Sequence, residues 1–265
     1  MSNTAYPLGM QALLAAGVNF TSDTISVVLV PSTYTYSSAH QYASSLGTII
    51  GTAQDLANKS ITGGVLDADD PNFGALAPGN TIKAMVVFKN TGNLSTSPLL
   101  FYFDAVTGLP AATNGGIITV PWGNDVKKIA RIITPAYPLG AEKMLSGAIN
   151  FLTDTIKVRL LPDSYEYDAG HEFLDDLPAG IGTDQTLTSK SIANGVFDAA
   201  DAAFGALASG SSIGSIVLYK STGTDSTSPL LLRFSDVVGL PYTTNGADYT
   251  QQWNNGTSKI FRLAA

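Results

Sequence analysis

The sequence predicts a mainly β protein made of two tandem homologous domains of β-sandwich or barrel type, each with one or two short helices. Three observations favour this fold class. Residues 6–134 align with residues 137–265 at a constant offset of 131 without a gap, and 61 of the 129 pairs are identical. Several short segments alternate apolar and polar residues with the β period of two. Glycine, proline and asparagine turn signals separate these segments.

The repeat has the length of a domain rather than of a solenoid unit. Solenoid and propeller repeats run about 20–50 residues, whereas domains commonly run about 100–150 residues. We therefore predict two domains, residues 1–134 and 135–265, each large enough for its own hydrophobic core. The sequence Thr134-Pro135-Ala136 is the short linker at their boundary.

Within each repeat the segments follow one order. A short helix is predicted first, at Met10–Ala16, and a strand follows at Thr24–Val30, where Ile25, Val27 and Leu29 form the inner face. A second short helix is predicted over Ser37–Leu46, because Ser37 is a good N-cap. The equivalent segments of the second repeat are Ala141–Ser146, Thr155–Leu161 and Asp168–Leu177, with Asp168 as the N-cap.

The rest of the repeat is predicted to be strands joined by turns. Two more strands are predicted at Ile82–Lys89 and Pro98–Phe103, and Asn-Gly turns follow them. The repeat is predicted to end in a hairpin directly after Trp122 or Trp253, and both tryptophans are predicted to lie in the core. The second-repeat strands are Ile213–Lys220 and Pro229–Phe234.

Composition argues against several classes of function. Charged residues are 13% of the chain, net charge is −7, and no basic cluster occurs, so we expect no nucleic-acid partner. The absence of cysteine excludes disulfides, thiolate metal sites and a cysteine nucleophile. The N-terminus lacks a signal-peptide pattern and no apolar run reaches about 18–20 residues, so we expect a soluble protein made in the cytoplasm, with no membrane partner.

The motifs predict no catalytic residue and no cofactor. His40 and His171 are equivalent, but no neighbouring carboxylate or hydroxyl recurs with them, and no Gly-x-Ser-x-Gly elbow occurs. We expect each histidine ring to hydrogen-bond the Tyr34-x-Tyr36 segment or its equivalent. Those paired tyrosines are predicted to serve core packing or a contact surface, with a sugar platform as the alternative. No phosphate loop, dinucleotide fingerprint or zinc spacing occurs, so we expect no enzyme.

A carboxylate cluster leaves a calcium site open as an alternative. Asp67-Ala68-Asp69-Asp70 has closely spaced carboxylates that suit a hard cation. Only the first and last recur, as Asp198 and Asp201, and the glycine and glutamate of an EF-hand are missing. The spacing favours a capped turn, and no metal is expected.

The two repeats differ in charge, which points to a partner surface. The first has 6 basic and 7 acidic residues, and the second has 8 and 14. Interface centres are depleted in charge and rich in aromatic residues. We therefore predict a partner-binding face on the first repeat, with drift or coverage by the second repeat as the alternative. Its candidate residues are Ser26, Val28, Tyr102, Ile117, Gln41 and Ser44, opposite Lys157, Arg159, Arg233, Asp248, Glu172 and Asp175.

The ordered motifs resemble a family of small virion structural proteins of tailed bacteriophages. The second repeat carries them at Asp154–Val158, Tyr165–His171, Gly195–Asp201, Ser226–Leu230, Gly239–Gly246 and Trp253–Gly256. The first repeat departs at Ser26, Leu66 and Gly123. The resemblance covers nearly the whole repeat, but its motifs are fold motifs rather than active-site motifs.

The resemblance implies a place in the virion. The first expectation is a capsid decoration or cement protein that binds other virion proteins, chiefly the major capsid protein, as a homo-oligomer or bound to the lattice. The alternative is a tail, neck or fibre-associated component that binds host glycan.

Overall fold

A computed structural model describes residues 3–123, 128–132 and 135–263, and it confirms a mainly β chain. The first repeat has one α-helix, α1 (Pro7–Leu14), and a 3-10 turn at Ala43–Leu46. Its strands are β1 (Thr4–Ala5), β2 (Ile25–Pro31), β3 (Ile50–Asp55), β4 (Ser60–Thr62), β5 (Val65–Asp67), β6 (Asn72–Ala75), β7 (Thr81–Lys89), β8 (Leu99–Phe103), β9 (Ala111–Ala112), β10 (Ile117–Thr119) and β11 (Ala130–Arg131).

The second repeat forms its elements in the same order, except that β1 is matched only by an isolated bridge between Ala136 and Leu232 and that a second 3-10 turn is present. Its helix is α2 (Pro138–Leu145), and its 3-10 turns are Leu174–Asp176 and Asp225–Thr227. Its strands are β12 (Ile156–Pro162), β13 (Gln185–Thr186), β14 (Ser191–Ala193), β15 (Val196–Asp198), β16 (Ala202–Ala206), β17 (Ser212–Lys220), β18 (Leu230–Phe234), β19 (Tyr242–Thr243), β20 (Asp248–Gln251) and β21 (Phe261–Arg262).

Each repeat is built around one antiparallel sheet. The strand order is β1-β8-β7-β2-β3 in the first repeat and β13-β12-β17-β18 in the second, with β9 and β19 added to β7 and β17. Two smaller antiparallel sheets complete each repeat: β11-β5-β4 and β10-β6 in the first, β14-β15-β21 and β16-β20 in the second. The predicted inner face is confirmed, because Ile25, Val27 and Leu29 are fully buried in the main hydrophobic cluster.

The Tyr-Pro-Leu-Gly motif places each helix against its sheet. Proline is favourable in the first helical turn, so α1 and α2 begin there, three residues earlier than predicted. Glycine is required because a Cβ at Gly9 would lie 1.9 Å from the Leu99 carbonyl oxygen, and one at Gly140 would lie 2.2 Å from that of Leu230. The motif therefore recurs to let a helix approach strand β8 or β18 closely.

The predicted second helix is wrong in both repeats. Ser37 and Asp168 do not cap a helix: their side chains accept hydrogen bonds from the backbone N–H of Ala39 (3.2 Å) and Gly170 (2.7 Å), and so close local turns. Serine and aspartate favour such turns because their side chains compete for the backbone. In the first repeat only the last four residues, Ala43–Leu46, are helical, and they are 3-10.

The terminal hairpin predicted for the second repeat is also wrong. The strands on either side of its turn, β20 and β21, do not pair with each other; β20 pairs with β16, and β21 pairs with β15. The turn after Trp253 therefore connects two small sheets. The corresponding turn of the first repeat falls partly on residues 124–127, outside the described residues.

The two repeats pack against each other through equivalent residues. The Phe20 N–H donates to the Leu145 carbonyl, and the Phe151 N–H donates to the Leu14 carbonyl, both at 3.1 Å. Helix α1 contacts β14, α2 contacts β4, and the helices contact each other. An interface is isologous, with two-fold symmetry, when every contact between two residues recurs between their equivalents in the opposite repeats. The main hydrophobic cluster accordingly contains residues of both repeats.

Side-chain bonds and close contacts repeat the same two-fold relation. Glu142 Oε1 accepts from the Gly63 N–H at 2.5 Å, and its equivalent, Gln11 Oε1, accepts from the Asn194 N–H at 3.1 Å. A Cβ at Gly195 would lie 2.6 Å from Met10 Cβ, and one at Gly64 would lie 2.7 Å from Ala141 Cβ. Because both glycines have positive φ, each position both turns the chain and admits the opposite helix.

Candidate functional site

The recurrent histidines end a buried chain of hydroxyl groups. Tyr6 Oη lies 2.8 Å from Tyr34 Oη, which lies 2.9 Å from His40 Nδ1. In the second repeat Tyr137 Oη lies 3.2 Å from Tyr165 Oη, which lies 2.9 Å from His171 Nδ1. The expected hydrogen bond between the histidine and the tyrosine segment is confirmed in both repeats.

Burial keeps these tyrosines neutral. It raises the pKa of Tyr6 and Tyr137 well above the usual range of a phenol, and the hydrogen bonds to Tyr34 and Tyr165 raise the pKa further. Burial also raises the pKa of Tyr34. A phenol whose pKa is raised remains protonated at neutral pH. The chain therefore holds the 31–50 segment to the start of the helix through hydrogen bonds of buried, protonated tyrosines.

The carboxylates of the Asp67–Asp70 motif and its equivalent bind more distant parts of their own repeat. Asp70 Oδ1 accepts the backbone N–H of Trp122 at 2.8 Å, and Asp201 does the same for Trp253 at 2.9 Å. Asp67 forms an ion pair with Lys128 at 3.6 Å, matched by Asp198 and Lys259 at 3.3 Å. Across residues 3–123, 128–132 and 135–263, no group of three or more His, Asp or Glu residues is arranged to hold a metal ion. The predicted capped turn is wrong: Asp70 and Asp201 each bond a backbone N–H 52 residues away, and the residues between β5 and β6, or between β15 and β16, form no turn.

Both tryptophans lie in the core, as predicted. Trp122 is 6% exposed and Trp253 is 9% exposed. Each indole N–H donates to a backbone carbonyl of the aspartate segment, that of Asp69 at 3.0 Å or that of Ala200 at 3.1 Å. The tryptophan therefore joins the core to this segment, and its polar edge is satisfied.

Half of the predicted partner surface is wrong, because those residues are buried. Ser26, Val28 and Tyr102 are 0%, 3% and 3% exposed. The outer face of the main sheet is covered by the segment that follows β2, which folds back over it. A second hydrophobic cluster forms there, consisting of Tyr6, Val28, Val30, Tyr34, Ala43, Leu46, Ala84, Val86, Phe88, Leu99 and Tyr102. The first repeat therefore covers this face with its own chain, not with the second repeat.

The other three candidate residues are exposed but lie in separate elements. Gln41 precedes the 3-10 turn of the covering segment, and Ser44 lies within that turn. Ile117, 69% exposed, lies in β10, which pairs with β6 in a different sheet. The fold therefore does not join the six residues into one apolar face.

One set of the charge differences between the repeats is paired inside the second repeat. Arg159 occupies the position of Val28, and its guanidinium forms a bidentate ion pair with Asp184, with Nη2 to Oδ2 at 2.9 Å. Tyr219, which replaces Phe88, donates its hydroxyl to the same carboxylate at 2.7 Å. Both charged side chains are only 14% exposed. Three substitutions that are far apart in the sequence thus form one polar cluster.

Arg233 gives the second repeat a feature that the first lacks. Its guanidinium lies 5.5 Å from the ring centres of both Tyr165 and Tyr167, which is cation–π geometry. In the first repeat Tyr102 occupies this position and stacks on Tyr36 with the ring centres 5.4 Å apart. Beside Arg233 opens a cavity of about 640 Å³. The only sign of this site in the sequence is that Arg233 stands where the first repeat has Tyr102.

Comparison with known proteins adds no family assignment: no protein-family model matches the chain, and no curated protein sequence matches it. Among the described residues, no helix has the length and apolar character needed to cross a bilayer.

Proposed function

We propose that the chain is a structural protein of a bacteriophage virion that binds the head surface as a decoration or cement protein. The observation that carries the proposal is that the polar side chains shared by both repeats form hydrogen bonds within the fold. The histidine, tyrosine and aspartate side chains common to both are bonded to the scaffold itself. This shared use favours a structural role over a duplicated active site.

The two-fold packing of the repeats is consistent with this role. A two-fold pair presents each surface twice, in opposite halves of one rigid block. A block of this kind can bridge two equivalent sites on a lattice, and the second contact then gains from a high effective concentration. The motif resemblance to small virion proteins supports the same class of partner.

A tail, neck or fibre-associated position is the second candidate. It is favoured by the cavity beside Arg233, because a cavity of about 640 Å³ lies in the range of small-ligand sites. A component that contacts the host surface would use such a cavity to bind a host glycan.

Co-sedimentation separates the two candidates. Purified chain is mixed with phage heads that lack it and, separately, with purified tails. Head binding that saturates at a fixed ratio and raises the temperature of head disruption is the expected result. Saturable binding to tails alone favours the second candidate, and binding to neither contradicts both.

A further inference from the structure

We propose that the cavity beside Arg233 binds a small hydroxylated carboxylate, of the class of a uronic acid residue in a glycan. The cavity belongs to the second repeat and opens to solvent. The residues that give it chemical character are Tyr167, Arg233, Ser235, Asp236, Ser258 and Arg262. Together they offer two guanidinium groups, one carboxylate, two serine hydroxyls and the phenol ring of a tyrosine.

Arg233 is held in place but has hydrogen-bond donors to spare. The rings of Tyr165 and Tyr167 fix its guanidinium group, which limits the entropy lost when a ligand binds. Its Nε is buried and closed to a ligand, whereas its terminal nitrogens form no ion pair with any carboxylate of the described residues. A planar guanidinium with free donors matches a carboxylate, which it can bind through two parallel hydrogen bonds.

The remaining lining suits the rest of an acidic sugar. Arg262 adds a second positive charge, so the lining keeps a net positive charge despite Asp236. Ser235, Ser258 and Asp236 are donors and acceptors of the kind that bind sugar hydroxyls. The Tyr167 ring is 45% exposed and offers an apolar face for sugar C–H groups. The volume of about 640 Å³ is sufficient for a monosaccharide.

The first repeat shows what the site requires. Tyr102 stands in place of Arg233 and packs on Tyr34 and Tyr36, with ring centres 6.0 and 5.4 Å apart. Tyr36 is half-buried and donates its hydroxyl to the Ala5 carbonyl at 3.0 Å, so it is turned into the fold. The first repeat thus has no guanidinium at this position, and the hydroxyl of its equivalent tyrosine, Tyr36, is already bonded to the backbone. The substitution Arg233→Tyr therefore recreates an arrangement that this fold already accommodates.

Titration of the full chain with glucuronate, followed by NMR chemical shifts, tests the proposal. Shifts at the cavity residues are expected with glucuronate and not with glucose. Arg233→Tyr should weaken binding about 10- to 100-fold, the value of a lost charged hydrogen bond. Arg262→Gln, at an exposed position, should weaken it less, and Lys157→Ser, which removes a cation outside the cavity, should leave it unchanged.

Three results would overturn the proposal. They are no cavity shifts with glucuronate, equal affinity of the wild type and Arg233→Tyr, and inorganic phosphate binding as tightly as glucuronate, which would mean that only charge is recognised. If Arg233→Tyr fails to fold, Arg262→Gln decides in the same way. The assay contains no virus particles, so its outcome is independent of the proposed role in the head.

Discussion

At the residue scale, the buried charges of the second repeat are stabilised by neighbours that changed with them. Arg159, Asp184 and Tyr219 replace Val28, Ala53 and Phe88, and the guanidinium, carboxylate and hydroxyl form one hydrogen-bonded cluster. A buried ion pair contributes little net stability over a well-packed apolar alternative, but loss of one partner leaves an unpaired buried charge. The cluster is therefore stable only as a unit.

The substitution Asp184→Ala tests this dependence. It should lower the free energy of unfolding by about 3 kcal/mol, because Arg159 and the Tyr219 hydroxyl lose their acceptor. The triple substitution Arg159→Val, Asp184→Ala and Tyr219→Phe restores the first-repeat residues and should unfold within about 1 kcal/mol of the wild type. Urea unfolding of the three proteins measures both values. A triple variant that is as unstable as Asp184→Ala would show that the cluster is not a unit.

The same residues mark the limit of what the sequence predicts at this scale. Comparison of the repeats identifies Val28 and Tyr102 as uncharged positions opposite arginines. They are buried because residues 31–50 fold back over the sheet. The partner of Arg159, Asp184, lies 25 residues away in the chain. An alignment of the two repeats does not show which residues are neighbours in space. Buried apolar residues that are replaced by a buried ion pair in the other repeat therefore look, in the sequence, like an exposed apolar face.

At the element scale, the strands are predictable and the covering segment is not. The alternation of Ile25, Val27 and Leu29 identifies β2, and short apolar runs between turn signals identify β7 and β8, which are buried on both faces. The sequence predicts helical caps at Ser37 and Asp168, whose side chains close turns instead. A turn and a helix start share the same residue types, since both satisfy free backbone N–H groups with a side-chain oxygen.

The second repeat strengthens its covering segment with an aspartate. Asp176 Oδ2 accepts the backbone N–H groups of Glu172 and Phe173 at 2.7 and 2.9 Å, and these bonds lower the pKa of the carboxyl group. A lowered pKa adds stability at pH values above the unfolded pKa near 4, and this stability is lost as the pH falls through the folded pKa. Ser45 is the equivalent residue in the first repeat.

The substitution Asp176→Asn should therefore destabilise the protein most above about pH 4, and the loss should shrink as the pH falls through the lowered pKa of Asp176. At pH 7 the loss should be about 0.5–1 kcal/mol, since the site is exposed and screened. Thermal unfolding at pH 7 and pH 3 measures it, with Asp175→Asn at the neighbouring exposed position as the control. An equal loss at both pH values would contradict the assignment.

At the scale of the whole molecule, the repeats form an internal two-fold pair with a shared core. Backbone groups make the most symmetric contacts, such as the reciprocal bonds of Phe20 and Phe151. Repeated sequence predicts two similar folds, but it does not specify how they pack, because backbone donors occur at almost every residue. The two positive-φ glycines at the interface, Gly64 and Gly195, are the sequence signal that could have located it.

Gly195→Ala tests this interface. A left-handed backbone costs alanine about 1–2 kcal/mol, and the clash with Met10 adds about 1–3 kcal/mol. Gly205→Ala is the matched control, because Gly205 has a similar φ of 67° but a Cβ added there would meet nothing within 4 Å. Urea unfolding should show the larger loss for Gly195→Ala. Equal losses for the two variants would contradict close packing between the repeats.

The proposed function depends on where the chain sits in a virus particle. A cryo-electron microscopy difference map between phage particles assembled with and without the chain tests this most directly. We expect difference density on the outer surface of the head, with each two-fold block contacting two neighbouring capsid sites. Particles that contain no copy of the chain, or density confined to the tail, would contradict the proposed head-binding role.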